Sequence, residues 1–332
     1  MNDLTTNISI PAKNDLKKSI KAVFYILCTF PVIAVFAVIP TYVYVIFSSI
    51  LGLPISESSE YIFTFAVPQI LYPVFTLIAA FFMIGFSGKT KQQLIKFNDP
   101  PAVDVLLALG IFLGMGTVGT YLSDFITQII IMLGVPVPDM SEYIAMPKNT
   151  WEFALYIISI AIMPAICEEI IFRGIICGIF KSYNKTAAIV FSTIAFSLVH
   201  STVQQIPFAF IMGLFLSYLY VKYDSLIPCI LLHFLNNFVS CIFMMLYENI
   251  AMETYEKAVM IYDISSVALG IICLIMFIVL RLKEKSSTNY NIVPAVSGKD
   301  FTVSAVFSIP FILFFIIFLF QTVMGILSYY YQ

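Results

Sequence analysis

Charge and histidine are scarce in this chain. Of its 332 residues only 11% are charged, two are histidine and one is tryptophan. So little charge excludes an ordinary water-soluble domain. No basic stripe exists to meet a nucleic acid, and a net charge of -2 supplies none. The cysteines, at 28, 167, 177, 229, 241 and 273, all fall in apolar runs without paired spacing. That excludes a disulfide framework or zinc knuckle and leaves them as small buried hydrophobes. There is no internal repeat or low-complexity tract. The apolar run after the polar N-terminal residues is too long for a signal-peptide core and lacks a small-residue cleavage site, so this first segment is expected to be retained.

What the chain has in quantity is apolar length: 61% of residues are hydrophobic and mean hydropathy is +0.98. Apolar runs at 22–50, 62–86, 102–133, 152–180, 186–203, 206–221, 226–247, 258–281 and 302–328 predict an all-α, polytopic transmembrane bundle of about nine spans. The short fifth and sixth runs form a helical hairpin if they do not fully cross. Residues 1–21 form an N-terminal tail, 22–149 the first three transmembrane helices, 150–247 a core of about four, and 248–332 the last two. Prolines 31, 40, 68, 73 and 164 lie inside apolar runs, where neighbouring helices satisfy the backbone groups they free. Pro164, four residues before Glu168, is placed to bend its helix there. Gly110, Gly114, Gly116 and Gly119 in the third run suit close helix packing, with one G-x-x-x-G spacing.

Lysine and arginine set the expected orientation. Lys13, Lys17, Lys18, Lys21, Lys89, Lys91, Lys96, Lys181, Lys185, Lys222, Arg281, Lys283, Lys285 and Lys299 fall on one side of a nine-span bundle. The opposite connections carry Lys148 and Lys257 with Glu57, Glu60, Asp139, Glu142, Glu248, Glu253 and Glu256. A multi-pass cell-membrane protein is expected, with its N-terminus cytoplasmic and its C-terminus outside. Trp151 and Tyr329, Tyr330 and Tyr331 then suit the outer interface.

Against this background the stretch Cys167-Glu168-Glu169-Ile170-Ile171-Phe172-Arg173 is anomalous. Ionisable side chains inside a span cost several kcal/mol or more and call for pairing or function. On a helix Glu169 and Arg173 share a face, while Glu168 is turned about 100° away. The pair neutralises itself and leaves Glu168 for chemistry; the alternative is a salt bridge that only packs helices. Both histidines also lie in apolar runs, His200 in the fifth and His233 in the seventh, the latter sharing a face with Asn237. Counting from the flanking lysines at about 1.5 Å per residue places Glu168 about 20 Å deep, His200 about 22 Å and His233 about 16 Å. One polar pocket can therefore gather all three.

A carboxylate beside a histidine serves as general base on water, and a second histidine with an amide supplies donors for an oxyanion, which together suit amide hydrolysis. The same Glu168, His200 and His233 equally form a zinc site with one open position. A serine or cysteine nucleophile is less attractive, since neither residue type shows a turn signature or a consistent histidine partner.

The order E-E-x-x-x-R, F-x-x-x-H, H-x-x-x-N, carried by Glu168, Glu169 and Arg173, Phe196 and His200, and His233 and Asn237, resembles the CPBP intramembrane endopeptidases, also called the Abi or type II CAAX prenyl protease family. The resemblance spans about residues 150 to 247. It implies a membrane-sunk site open to the cytoplasm, with Glu168 and His200 activating water, His233 and Asn237 stabilising the oxyanion, and Glu169 and Arg173 in support. It implies a protease of a family conventionally called metalloprotease, for which a metal-independent glutamate mechanism has also been argued. The expected substrate is a lipophilic or membrane-associated peptide or protein, with the bilayer as the other partner and no nucleic acid. Bacterial relatives are linked to bacteriocin maturation or self-immunity, so the rival reading is a non-enzymatic immunity or binding protein using the same cluster. An ion-coupled transporter is a third, weakened by the absence of repeated broken helices.

Overall fold

The computed structural model describes residues 10–52, 55–137, 145–285, 296–306 and 308–330. Asp139, Glu142, Tyr331 and residues 286–295 lie outside the described residues. The expected runs are helical in whole or in part: α1 (Asn14–Leu51), α2 (Glu57–Ser87), α3 (Ala102–Met132), α4 (Thr150–Lys181), α5 (Lys185–Leu198), α6 (Gln205–Tyr223), α7 (Ile227–Asn249), α8 (Met252–Lys285) and α9 (Ile309–Tyr330), the last run, 302–328, being divided between a short helix Gly298–Val306 and α9. Among the described residues the only β pairing is an isolated bridge between Phe97 and Ser225. Seven of these helices are long and apolar enough to cross a membrane, and the apolar stretches Lys185–Leu198 and Phe311–Met324 are shorter. The protein is an all-α polytopic membrane bundle. Outward-facing Ile50, Phe82 and Met132 are 75%, 75% and 81% exposed, a surface that suits lipid tails rather than water.

Helix already forms within the expected 1–21 tail. The described helix starts at Ile10, because Leu16, Ile20, Val23 and Leu27 continue one apolar stripe at helical spacing and are buried.

Proline and glycine shape the helices. Pro40 opens a new segment, Ile39–Leu51, after the break at Val38. In α2 and α4 the helix widens to a π segment just before a proline, at Tyr61–Ala66 before Pro68 and at Ile158–Ile162 before Pro164. Proline has no N–H and its ring crowds the carbonyl four residues back, so a wider turn relieves the clash. The glycines of α3 pack as expected: a Cβ on Gly114 would meet the Ser266 carbonyl at 2.9 Å and the Gly270 Cα at 3.1 Å, both on α8.

The two ends of the bundle differ in charge. At one end the connections after α2, α4 and α6 meet: Leu226 N–H donates to Lys96 O (2.8 Å), Asn98 Nδ2 to Asp224 O (2.9 Å), and Lys181 pairs with Asp224. Lys89, Lys181, Lys185 and Lys222 surround one cavity there. At the other end Lys148 pairs with Glu57 at 3.0 Å.

Candidate active site

The site is built on α4, α5 and α7. Immediately after Glu168 and Glu169, α4 widens into a second π segment, Ile170–Cys177. π turns inside α-helices are frequent at functional sites because they re-aim side chains. Glu169 and Arg173 are both fully buried, and Arg173 Nη1 donates to Glu169 Oε1 at 2.7 Å. The guanidinium also donates to Gly213 O on α6 (3.3 Å) and lies over the Phe196 ring, 4.2 Å from its centroid. Gly213 makes this possible, for a Cβ there would sit 3.0 Å from Phe196 and 3.3 Å from the guanidinium.

His233 joins the pair, with its Nδ1 2.7 Å from the same Glu169 Oε1. A carboxylate only accepts, so Nδ1 carries the hydrogen. His200 Nδ1 lies 2.8 Å from Phe196 O, again an acceptor, so it too donates from Nδ1. Both imidazoles thus commit one nitrogen to the protein and keep Nε2 for something else.

His200 does not sit within a helix as the 186–203 run suggested. α5 ends at Leu198, the His200 N–H donates back to Ser197 O rather than Phe196 O, and Ser201 adopts φ 57°. The histidine side chain takes the Phe196 carbonyl that its own backbone would have used, and this stops the helix. At 14 residues, α5 rises only about 21 Å, short of a full hydrocarbon thickness, and the turn carrying His200 is half-buried.

Glu168 is half-buried and makes no hydrogen bond or ion pair among the described residues. It lies near His200 and Tyr72 of α2. Asn237 Nδ2 donates to Ile160 O at 3.1 Å. That carbonyl stands four residues before Pro164, which has no N–H to return to it. Asn237 therefore serves the proline-interrupted helix with one amide hydrogen and retains a second.

The structure gathers Glu169, Arg173 and His233 in direct contact. Phe196 joins them to His200, its ring edge-on to both imidazoles at centroid distances of 4.9 Å (His200) and 5.9 Å (His233). Among the described residues, no three His, Cys, Asp or Glu side chains group closely enough to hold a metal ion. The sequence marks Phe196 only as a motif residue beside His200, without its contact to Arg173 and His233; the gap left by Gly213 and the proximity of Tyr72 were not foreseen. For the last two, a glycine in mid-helix was the only signal.

A membrane-embedded helical bundle holding a buried Glu–Arg–His cluster is the class this geometry defines. A model of the Rce1-like family, described as type II CAAX prenyl endopeptidase Rce1-like, matches residues 150–239. All the residues just described on α4, α5 and α7 fall within that part of the chain. No curated protein and no solved structure matches.

Proposed function

We propose that the protein is an intramembrane endopeptidase that hydrolyses a peptide bond in a lipophilic or membrane-associated substrate. The observation that carries this reading is the division of labour between adjacent glutamates. Glu169 is locked between Arg173 and His233, while Glu168 is unpaired among the described residues beside a histidine with a free Nε2. Water held between Glu168 and His200 Nε2 gives up a proton to this pair, and its oxygen attacks the carbonyl carbon. The oxyanion is met by the spare Asn237 hydrogen beside His233, whose ring is anchored through its Nδ1 by Glu169. Collapse breaks the C–N bond, and the abstracted proton goes to the leaving amine.

Burial of the site favours a substrate already in the bilayer. The lysine-rich end supports a cytoplasmic N-terminus, an outer C-terminus and cleavage near the cytoplasmic side. No step here runs through a metal, and a zinc ion held by Glu168, His200 and His233 is the alternative that chelation tests.

The test is cleavage of a lipophilic peptide library by the full chain in proteoliposomes. Cleavage by wild type, retained in chelator and lost in Glu168→Gln, is expected. No cleavage by wild type overturns the reading. Loss in chelator restored by zinc would instead make Glu168, His200 and His233 metal ligands.

A further inference from the structure

A second cavity, of about 580 Å³, lies between α3, α6, α7 and α8. On α7 it is lined by Asn236, Ser240, Phe243 and Tyr247, a three-to-four-residue spacing that marks one helix face running from mid-depth to the helix end. Tyr121 and Asp124 of α3 and Tyr255, Tyr262 and Asp263 of α8 complete the wall. The rings are joined edge to face, with centroids 4.9 Å apart for Phe243 and Tyr262 and 5.3 Å apart for Tyr247 and Tyr255. Tyr121 donates to Asp263 Oδ2 at 2.7 Å and holds that carboxylate in the wall. No lysine, arginine or histidine lines the cavity, and neither aspartate has an ion-pair partner among the described residues.

Acidic side chains in membrane helices are retained where something cationic meets them. Aromatic faces around a carboxylate, in a cavity within the range of ligand pockets, are the chemistry that holds an organic ammonium ion. We infer that this cavity binds the ammonium group of a small amphiphile, with the tyrosine rings around the cation and Asp263 and Asp124 balancing its charge. Two sources share this chemistry, the headgroup of a zwitterionic lipid and a free small cation. The cavity adjoins the candidate active site through one hydrogen bond, Asn236 Nδ2 to Asn237 Oδ1 at 3.3 Å, but the inference does not depend on proteolysis.

Met244 lines the cavity and supplies a reporter. The full chain, labelled with ¹³C-methyl methionine in phosphatidylglycerol nanodiscs, is titrated with choline and with its neutral isostere 3,3-dimethylbutan-1-ol, the Met244 signal being assigned by Met244→Leu. Saturable displacement of the Met244 methyl by choline is expected, weaker by about tenfold or more for the isostere. Asp263→Asn should weaken choline by a similar factor and Asp124→Asn by less, the other methionine signals showing that each variant is folded. In phosphatidylcholine discs, a choline curve moved to higher concentration identifies the lipid headgroup as occupant, and an unmoved curve identifies a free cation. Equal response to choline and isostere, or an unchanged curve in both folded aspartate variants, overturns the inference.

Discussion

Glu169 lies fully buried between Arg173 and His233, so removing its charge strands a guanidinium where water cannot reach it. Breaking one side of a buried ion pair costs about 3–5 kcal/mol. Glu169→Gln should therefore lower the melting temperature of the detergent-purified protein sharply. Glu168→Gln should leave melting unchanged, because Glu168 has no partner to strand, yet reduce cleavage by about a hundredfold or more, the contribution of a general base. Equal melting losses in the two variants would contradict the division between them. The sequence already showed this division, since residues four apart share a helix face and adjacent ones do not. It did not show that His233 would meet Glu169 rather than Glu168, which depends on how α7 packs against α4.

At the scale of elements, the π segments of α4 were legible only as an expected kink near Pro164. That Asn237 takes the Ile160 carbonyl left by the proline required the tertiary structure. The pairing makes a thermodynamic cycle. Asn237→Leu leaves a half-buried carbonyl short of a donor and should destabilise by about 1 kcal/mol or more. In the Pro164→Ala background the restored N–H supplies that donor, so the same change should cost less, with a coupling of about 0.5–3 kcal/mol. Additive melting shifts would show that the two residues act separately. The glycines of α3 give a second check. Gly114→Ala puts a Cβ 2.9 Å from the α8 backbone, whereas a Cβ on Gly85 meets nothing within 4 Å. The first should destabilise by about 1–3 kcal/mol through overpacking, and Gly85→Ala should be near neutral.

For the whole molecule, apolar length was enough to locate the long helices among the described residues, because each span must satisfy its own backbone in lipid; it did not show that the 302–328 run is divided into Gly298–Val306 and Ile309–Tyr330. Length alone could not say where α5 stops. That stop depends on the His200 side chain, and it places a histidine-bearing turn inside the bundle rather than beyond it. The lysine distribution predicted one basic end, and Lys89, Lys181, Lys185 and Lys222 do surround one cavity. Reporter fusions should accordingly place the N-terminus and the connection at Lys181 to Lys185 in the cytoplasm, and the C-terminus outside. Reporters on opposite sides at the first two positions would contradict that topology. The account rests most heavily on Glu168-dependent hydrolysis, and membrane-peptide termini test it directly. Cells carrying wild-type protein are compared with cells carrying Glu168→Ala at matched abundance. New termini found only with wild type are predicted and would also name the substrate; identical termini, with lipophilic peptides demonstrably present, would contradict the assignment and leave the polar cluster as a binding site.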